Sequence, residues 1–126
     1  MVNVEKCDIV YVDYAQKIAF SGKEDAVREL NHISDRLTES AKELGVPVVS
    51  LAQLNRDASN ATPKLENIKG SGQFEQDAHI ALLLHRPNAD KEGETEQMEI
   101  HLAKQRRGIA NAHVTVTFDR RIQRIA

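Results

Sequence analysis

Two short apolar runs, residues 9–12 and 46–51, flank one amphipathic stretch, and that order restricts the fold more than any other feature of the chain. The first run is rich in β-branched and aromatic side chains, which suits a strand covered on both faces inside a parallel sheet. Between the runs, Val27, Leu30, Ile33, Leu37, Ala41 and Leu44 recur at three- and four-residue steps, the period of one helical face. Ser21-Gly-Lys-Glu24 has the spacing of a capping box. Gly45 supplies a left-handed residue past the helix end and Pro47 prevents continuation, so a helix is predicted from about Gly22 to Leu44. Strand, helix, strand is a βαβ unit, in which the crossover makes the second strand parallel to the first. The expected class is α/β, with parallel strands at about 8–12, 46–51 and 79–84.

Further along, residues 73–78 suit a short helical turn, and residues 87–97 form an acidic, turn-rich loop. The period then changes from helical to two. Met98, Ile100 and Leu102 alternate with Glu99, His101 and Ala103, while Val114, Val116 and Phe118 alternate with His113, Thr115 and Thr117. This predicts an antiparallel hairpin over about 97–103 and 112–118. Pairing Ile100 with Val114 and Met98 with Val116 keeps both apolar sets on one face and sets His101 opposite His113. A His pair can bind metal, but no third ligand is evident from the sequence, so a cross-strand polar pair is expected there. Residues 122–125 suit a last short strand.

Composition enters through what it excludes. A chain of 126 residues, 40% hydrophobic and 29% charged, can build one core and has no room for two domains. Cys7 alone makes neither a disulfide framework nor a Cys-based zinc site, and no apolar run approaches a membrane span. The N-terminus lacks the pattern of a signal peptide, which points to a reducing, cytoplasmic setting with no membrane partner. Net charge is −2, yet residues 104–126 hold six Lys or Arg against one Asp. A segment so basic favours a phosphate-bearing partner, or else is a solvated tail.

Several positions have side chains that could carry chemistry. Asp13 follows the first strand directly, at the sheet edge where ligands collect, and could hold Mg²⁺ directly or through water; alternatively it begins a turn. Gln53, just past the second strand, can donate and accept hydrogen bonds at once, as a sensor of a γ-phosphate must, or it can simply close the strand. In the irregular stretch 57–72, Lys69 stands beside the backbone amides of Gly70, Ser71 and Gly72. Together they could grip a phosphodiester without reading bases, or the stretch could be a surface loop with a helix cap at Ser71. Lys104 and Arg106 sit two apart in an extended segment, so they project to one side and could reach one target together, or pair with Asp119.

Taken in order, Tyr11-Val-Asp-Tyr-Ala-Gln16, the helix, Ser50-Leu-Ala-Gln-Leu-Asn-Arg56, Gly70-Ser-Gly-Gln-Phe-Glu-Gln-Asp77 and Ala103-Lys-Gln-Arg-Arg-Gly108 resemble the ordered motifs of the DnaB-type replicative DNA helicases. The match covers nearly the whole chain. The resemblance implies a RecA-like ATPase domain, using ATP and Mg²⁺, in a homo-hexameric ring that moves along single-stranded DNA during replication, with a primase and a helicase loader as further partners. It places Asp13 on the Walker B position that holds Mg²⁺ and Gln53 on the γ-phosphate sensor. Lys69, Gly70 and Gly72 fall on the DNA-binding loop of the central channel. Lys104 and Arg106 fall on the pair that reaches a neighbouring subunit's nucleotide, Arg106 as the arginine finger. Three positions depart from the family pattern: Lys69 stands where an Arg is usual, Gly70 where an acidic residue is usual, and His79 where an Asp is common.

No Gly-x-x-x-x-Gly-Lys-Ser/Thr occurs in these residues, and Gly22-Lys23 is followed by Glu24. In the family the phosphate-binding loop and the glutamate that activates water lie upstream. The chain is therefore expected to be one partial domain, 1–126, the C-terminal portion of a helicase motor domain, inactive toward ATP alone and prone to self-association through its first strand. Two other classes remain open: a recombinase-like or clock-type RecA-family ATPase fragment, and a non-enzymatic adaptor of a motor ring.

Overall fold

The structure, a computed structural model, describes residues 6–18, 26–55, 61–68 and 72–126. They fall into two compact units, one comprising residues up to Leu54 with Ile68–Asp77, the other Asn55–Asn67 with Ala78–Ala126.

In the first unit, β1 (Val10–Val12), a 3-10 turn at Ala15–Lys17, α1 (Ala26–Leu44), β2 (Val48–Ser50) and α2 (Gly72–Asp77) follow in order. The two strands pair in parallel, Val10 with Val48, Tyr11 with Val49 and Val12 with Ser50, as a βαβ unit requires. The helix ends where the sequence marks it. Gly45 takes φ +65° and its N–H donates to the Ala41 carbonyl at 3.1 Å, after which Pro47 accepts from Val10 N–H at the start of the ladder. The predicted capping box lies outside the described residues.

The core of this unit is Leu30 and Ile33 of α1, Phe74 of α2 and Ala15, with Leu37 and Ile68 packed against them. Two polar contacts converge on Asp77. The buried Ser34 hydroxyl donates to its carboxylate at 2.7 Å, and Gln73 donates from one turn earlier in α2, so Asp77 ties one helix to the other. The apolar stripe of α1 is buried only in its middle, with Val27 and Leu44 exposed. Length accounts for this: a 19-residue helix spans about 28 Å, and three-residue strands about 10 Å, so the helix overhangs its sheet. The strands also differ from expectation in cover. Tyr11 is 67% exposed and its partner Val49 41%, so the pair is covered on one face, the face α1 can reach, and not on two.

The second unit is an antiparallel sheet in the order β3 (Ile80–His85), β4 (Thr95–Gln105), β5 (Ala112–Asp119), β6 (Arg124–Ile125), with a 3-10 turn at Leu65–Asn67 before it in the chain. The β4–β5 register is the one the apolar pattern predicts, with Met98 opposite Val116, Ile100 opposite Val114 and His101 opposite His113. The strand expected at 79–84 beside the parallel pair is hydrogen-bonded to β4 and antiparallel to it. Residues 86–94 join the two strands, too short a connection for a parallel crossover. The register shifts between Ala81 and Leu82, opposite Lys104 and Leu102, leaving Ala103 as an extra residue of a bulge. Alternation then sorts the sheet into two faces. Leu82, Leu84, Met98, Ile100, Leu102, Val114 and Val116 share one, while Leu83, His85, Glu99, His101 and His113 share the other.

Gly45 and Gly72 make a paired test of this account. A Cβ would meet nothing within 4 Å at either position, but only Gly45 has a left-handed φ. Gly45→Val should cost about 1–2 kcal/mol, whereas Gly72→Ala should change stability by less than about 0.5 kcal/mol. Urea denaturation of the two variants measures both, and equal losses would show that the backbone at Gly45 is not the cause.

Candidate functional site

Asp13 owes its position to the way β1 ends. Leu51 N–H donates to the Val12 carbonyl and the Leu51 carbonyl accepts from Ala15 N–H, each at 2.9 Å. In an unbroken parallel ladder one residue bonds to positions two apart, and here they are three apart. One extra residue is therefore pushed out of the ladder, and Asp13 stands exposed on that bulge while Ala15 is fully buried. The Asp13–Tyr14 peptide is cis. Lys17 places its ammonium 5.5 Å from the centre of the Tyr14 ring.

Gln53 lies two residues past Leu51 on the same edge, so the structure brings together the two positions the sequence singled out there. A third residue links them. Gln16 closes on the Gln53 backbone from both sides, its Nε2 donating to the Gln53 carbonyl at 3.2 Å and its Oε1 accepting from the Gln53 N–H at 3.1 Å. With its backbone held, Gln53 keeps its side chain exposed. The next residue, Leu54, forms an antiparallel bridge with Ile68, which immediately precedes Lys69. Lys69 and Gly70 themselves lie outside the described residues, and Gly72 is the first residue of α2.

The remaining candidates belong to the second unit. Lys104 is half-buried near the end of β4, and Arg106 is an exposed turn residue just beyond it, its N–H donating to the His79 carbonyl at 2.8 Å. The strand alternation that would aim the two side chains alike stops at Gln105, one residue too early to include Arg106. Asp119, the alternative partner for them, is engaged by Arg121 at 2.9 Å. That contact, with burial opposing it, holds the Asp119 carboxyl below the usual range.

Two clusters were missed in the sequence. Glu96, its side chain only 2% exposed, is gripped by Arg86 and by Arg120, the latter at 2.8 Å. Arg120 also donates to the carbonyls of Asn88 and Lys91 at 2.7 and 2.6 Å. The loop expected to be merely solvated is thus stapled to the sheet, and part of the C-terminal positive charge is structural. Burial raises the Glu96 pKa, but hydrogen bonds from Arg120 and Arg86 outweigh it and leave the carboxyl below its ordinary 4.5. The second cluster surrounds the predicted His101–His113 pair: Glu99 and His85 stand beside it on the same face. A signal for both clusters existed in the short β3–β4 connection, which forces those strands to pair.

The family model described as DnaB-like helicase C terminal domain matches residues 1–126. The replicative DNA helicase DnaB of Treponema pallidum (strain Nichols) is 40% identical over 105 residues, 82% of this chain and 23% of that protein. The replicative DNA helicase DnaC of Bacillus subtilis (strain 168) is 40% identical over 107 residues, 79% of this chain and 24% of that protein. Among solved structures, a DnaB-like replicative helicase, solved with its interactions with primase, superposes with a TM-score of 0.74 at 31% identity, over 89% of this chain and 29% of that one. A solved ATPase domain gives a TM-score of 0.78 at 30% identity, over 94% and 43%. The chain spans about a quarter of the length of the curated relatives it matches.

The Glu96 cluster makes a signed prediction. Because the folded-state pKa is depressed, its contribution to stability is complete above the unfolded value and is lost as pH falls through the folded one. Glu96→Gln should therefore melt several degrees below the unaltered protein at pH 7, and the gap should narrow below about pH 4. A gap that stays constant in thermal melts from pH 7 to pH 3 would remove the charge from the explanation.

Proposed function

The chain belongs to the DnaB-like helicase C-terminal domain family, and on that basis we propose that it is the C-terminal part of the motor domain of an ATP-dependent replicative DNA helicase, working in the cytoplasm as a homo-hexameric ring. The observation that carries this reading is the strand edge at which Asp13, on a bulge set by the Leu51 backbone bonds, and Gln53, its backbone clamped by Gln16, are both exposed. An exposed carboxylate is a hard oxygen ligand, which fits Mg²⁺ better than a softer metal. Bound there with ATP, Mg²⁺ would neutralise phosphate charge. The chain's own residues then have separate tasks. Asp13 holds the metal, and Gln53 offers one hydrogen bond to the γ-phosphate, with its backbone kept still by Gln16.

Hydrolysis is useful to a helicase only if it changes the grip on DNA. The bridge between Leu54 and Ile68 supports such a link, because it joins the residue after Gln53 to the residue before Lys69. Movement at Gln53 would displace the start of the loop in which Lys69, Gly70 and Gly72 bind single-stranded DNA by charge and backbone amides. Lys104 and Arg106 serve the neighbouring subunit's nucleotide. The planar, always charged guanidinium of Arg106, exposed in a turn, suits the charge that builds during phosphoryl transfer. A primase is a further partner of the ring, as in the similar helicase solved with its primase interactions, and a loader another.

In the full-length protein, Arg106→Ala should lower turnover on the order of 10³-fold while affecting nucleotide binding less. Mixing Arg106→Ala subunits with Asp13→Ala subunits tests the division of labour. Verified mixed rings should regain ATPase, since an intact Asp13 site then faces an intact Arg106 neighbour; no recovery would exclude a finger acting between subunits.

Lys69→Ala in the same full-length ring should weaken single-strand binding and reduce its salt slope by about one unit, with no change in base preference. An unchanged slope would remove Lys69 from the DNA contact.

A further inference from the structure

One cluster in the antiparallel sheet has no part in the helicase chemistry proposed above and does not depend on it. On the polar face, His85 of β3 pairs directly with Glu99 of β4, and His101 lies two residues along β4 from Glu99, so alternation aims all three the same way. A single carboxylate oxygen, Glu99 Oε2, stands 3.1 Å from His85 Nδ1 and 2.8 Å from His101 Nε2. The three atoms all lie within 4.8 Å of one another. The side chains are 15%, 27% and 19% exposed, sheltered but reachable from solvent. The His113 ring of β5 stacks on that of His101, centroids 5.2 Å apart and 23° from parallel, which limits the rotamers open to His101.

We propose that His85, Glu99 and His101 form a binding site for a divalent transition metal of the zinc class, with three protein ligands and a water in the fourth position. Geometry supports this first. Around a tetrahedral ion with bonds of about 2.0–2.1 Å, ligand atoms stand roughly 3.3 Å apart. Both Glu99 contacts are within about half an ångström of that edge, and the site closes when the two imidazole nitrogens, within 4.8 Å of each other, are drawn together by side-chain rotation. The donor set supports it next. Two imidazole nitrogens with one carboxylate oxygen match Zn²⁺ and its transition-metal neighbours, whereas Mg²⁺ and Ca²⁺ favour oxygen throughout. The hydrogen bonds from His101 and His85 also keep the Glu99 carboxyl below its usual range.

In the metal-free cluster each neutral imidazole can give its one N–H to Glu99 Oε2. Metal binding requires the other tautomer, with the N–H on the outer nitrogen and the lone pair facing inward. The proton then relocates through water from the inner to the outer nitrogen of the same ring. The hydrogen-bonded arrangement therefore holds the three ligand atoms close to the positions that the metal needs.

The test uses the full-length protein, stripped of metal with a chelator and titrated with Zn²⁺ against a chromophoric competitor. One Zn²⁺ per chain should bind at micromolar concentration or below. His85→Gln and His101→Gln should each weaken it by more than the 10–100-fold typical of losing an outer-shell partner. No stoichiometric binding at micromolar Zn²⁺, or equal binding by the unaltered protein and both folded variants, would overturn the assignment. Should either variant fail to fold, zinc-edge X-ray absorption of the unaltered protein decides. Two imidazoles with oxygen ligands uphold the site, and sulfur ligation or fewer than two imidazoles refutes it.

Discussion

The candidate nucleotide edge depends on the two backbone bonds of Leu51. They fix Val12 on one side and Ala15 on the other, and the residue count between them leaves Asp13 and Tyr14 no regular place in the ladder. Restoring the regular register would draw Ala15 out of the cluster it forms with Leu30, Ile33 and Phe74. Core packing therefore holds the bulge in place, and the exposed Asp13 takes its position from the backbone around it. Gln16, one residue past Ala15, carries the same rigidity across to Gln53. A strand, a buried alanine and one amide side chain thus position both groups.

The second unit shows why a tally of charge is a poor guide to partners. Arg120 and Arg121 count toward the basic C-terminal segment, yet Arg120 is engaged with a buried glutamate and two loop carbonyls, and Arg121 with Asp119 and Glu94. A buried carboxylate is stable only when paired and hydrogen-bonded, so Glu96 demands its two guanidiniums. Of the other four basic residues of the segment, Lys104, Arg106 and Arg107 fall within four positions at the β4–β5 turn, and Arg124 lies in β6.

Local chemistry was legible wherever it acted over short distances in the chain. Gly45 and Pro47 marked the end of α1, and strict alternation fixed the β4–β5 register, because a one-residue slip would have moved every apolar side chain to the wrong face. Features that depend on bonds between distant segments were not legible. The bulge at Asp13 exists only relative to Leu51, and the grip of Gln16 spans 37 positions. The cover over β1 was overestimated because an apolar run signals burial without saying by what, and Tyr11 and Val49 lie bare in the described unit. The functional assignment came from the order of several weak motifs, none of which settled its own alternatives.

The two faces of β4 explain how one strand serves two unlike purposes. Met98, Ile100 and Leu102 share a face with Glu96, which pairs with Phe118 across the ladder, so a charge sits at one end of an apolar surface. It is tolerated because Arg86 lies over the Phe118 ring, 5.1 Å from its centre, and covers with its planar guanidinium both the ring and the carboxylate. Met98, next on that face, is buried, while Leu82, Leu84 and Val114 further along are more than half exposed. On the opposite face Glu99 meets imidazoles in place of guanidiniums. The difference in partner is decisive. A guanidinium has no lone pair to offer a metal and leaves Glu96 locked as structure, whereas each imidazole has a nitrogen that can exchange its proton for one. Strand alternation keeps the two carboxylates, three residues apart, from sharing partners, so the sheet keeps a fixed ionic corner and an exchangeable cluster on one strand.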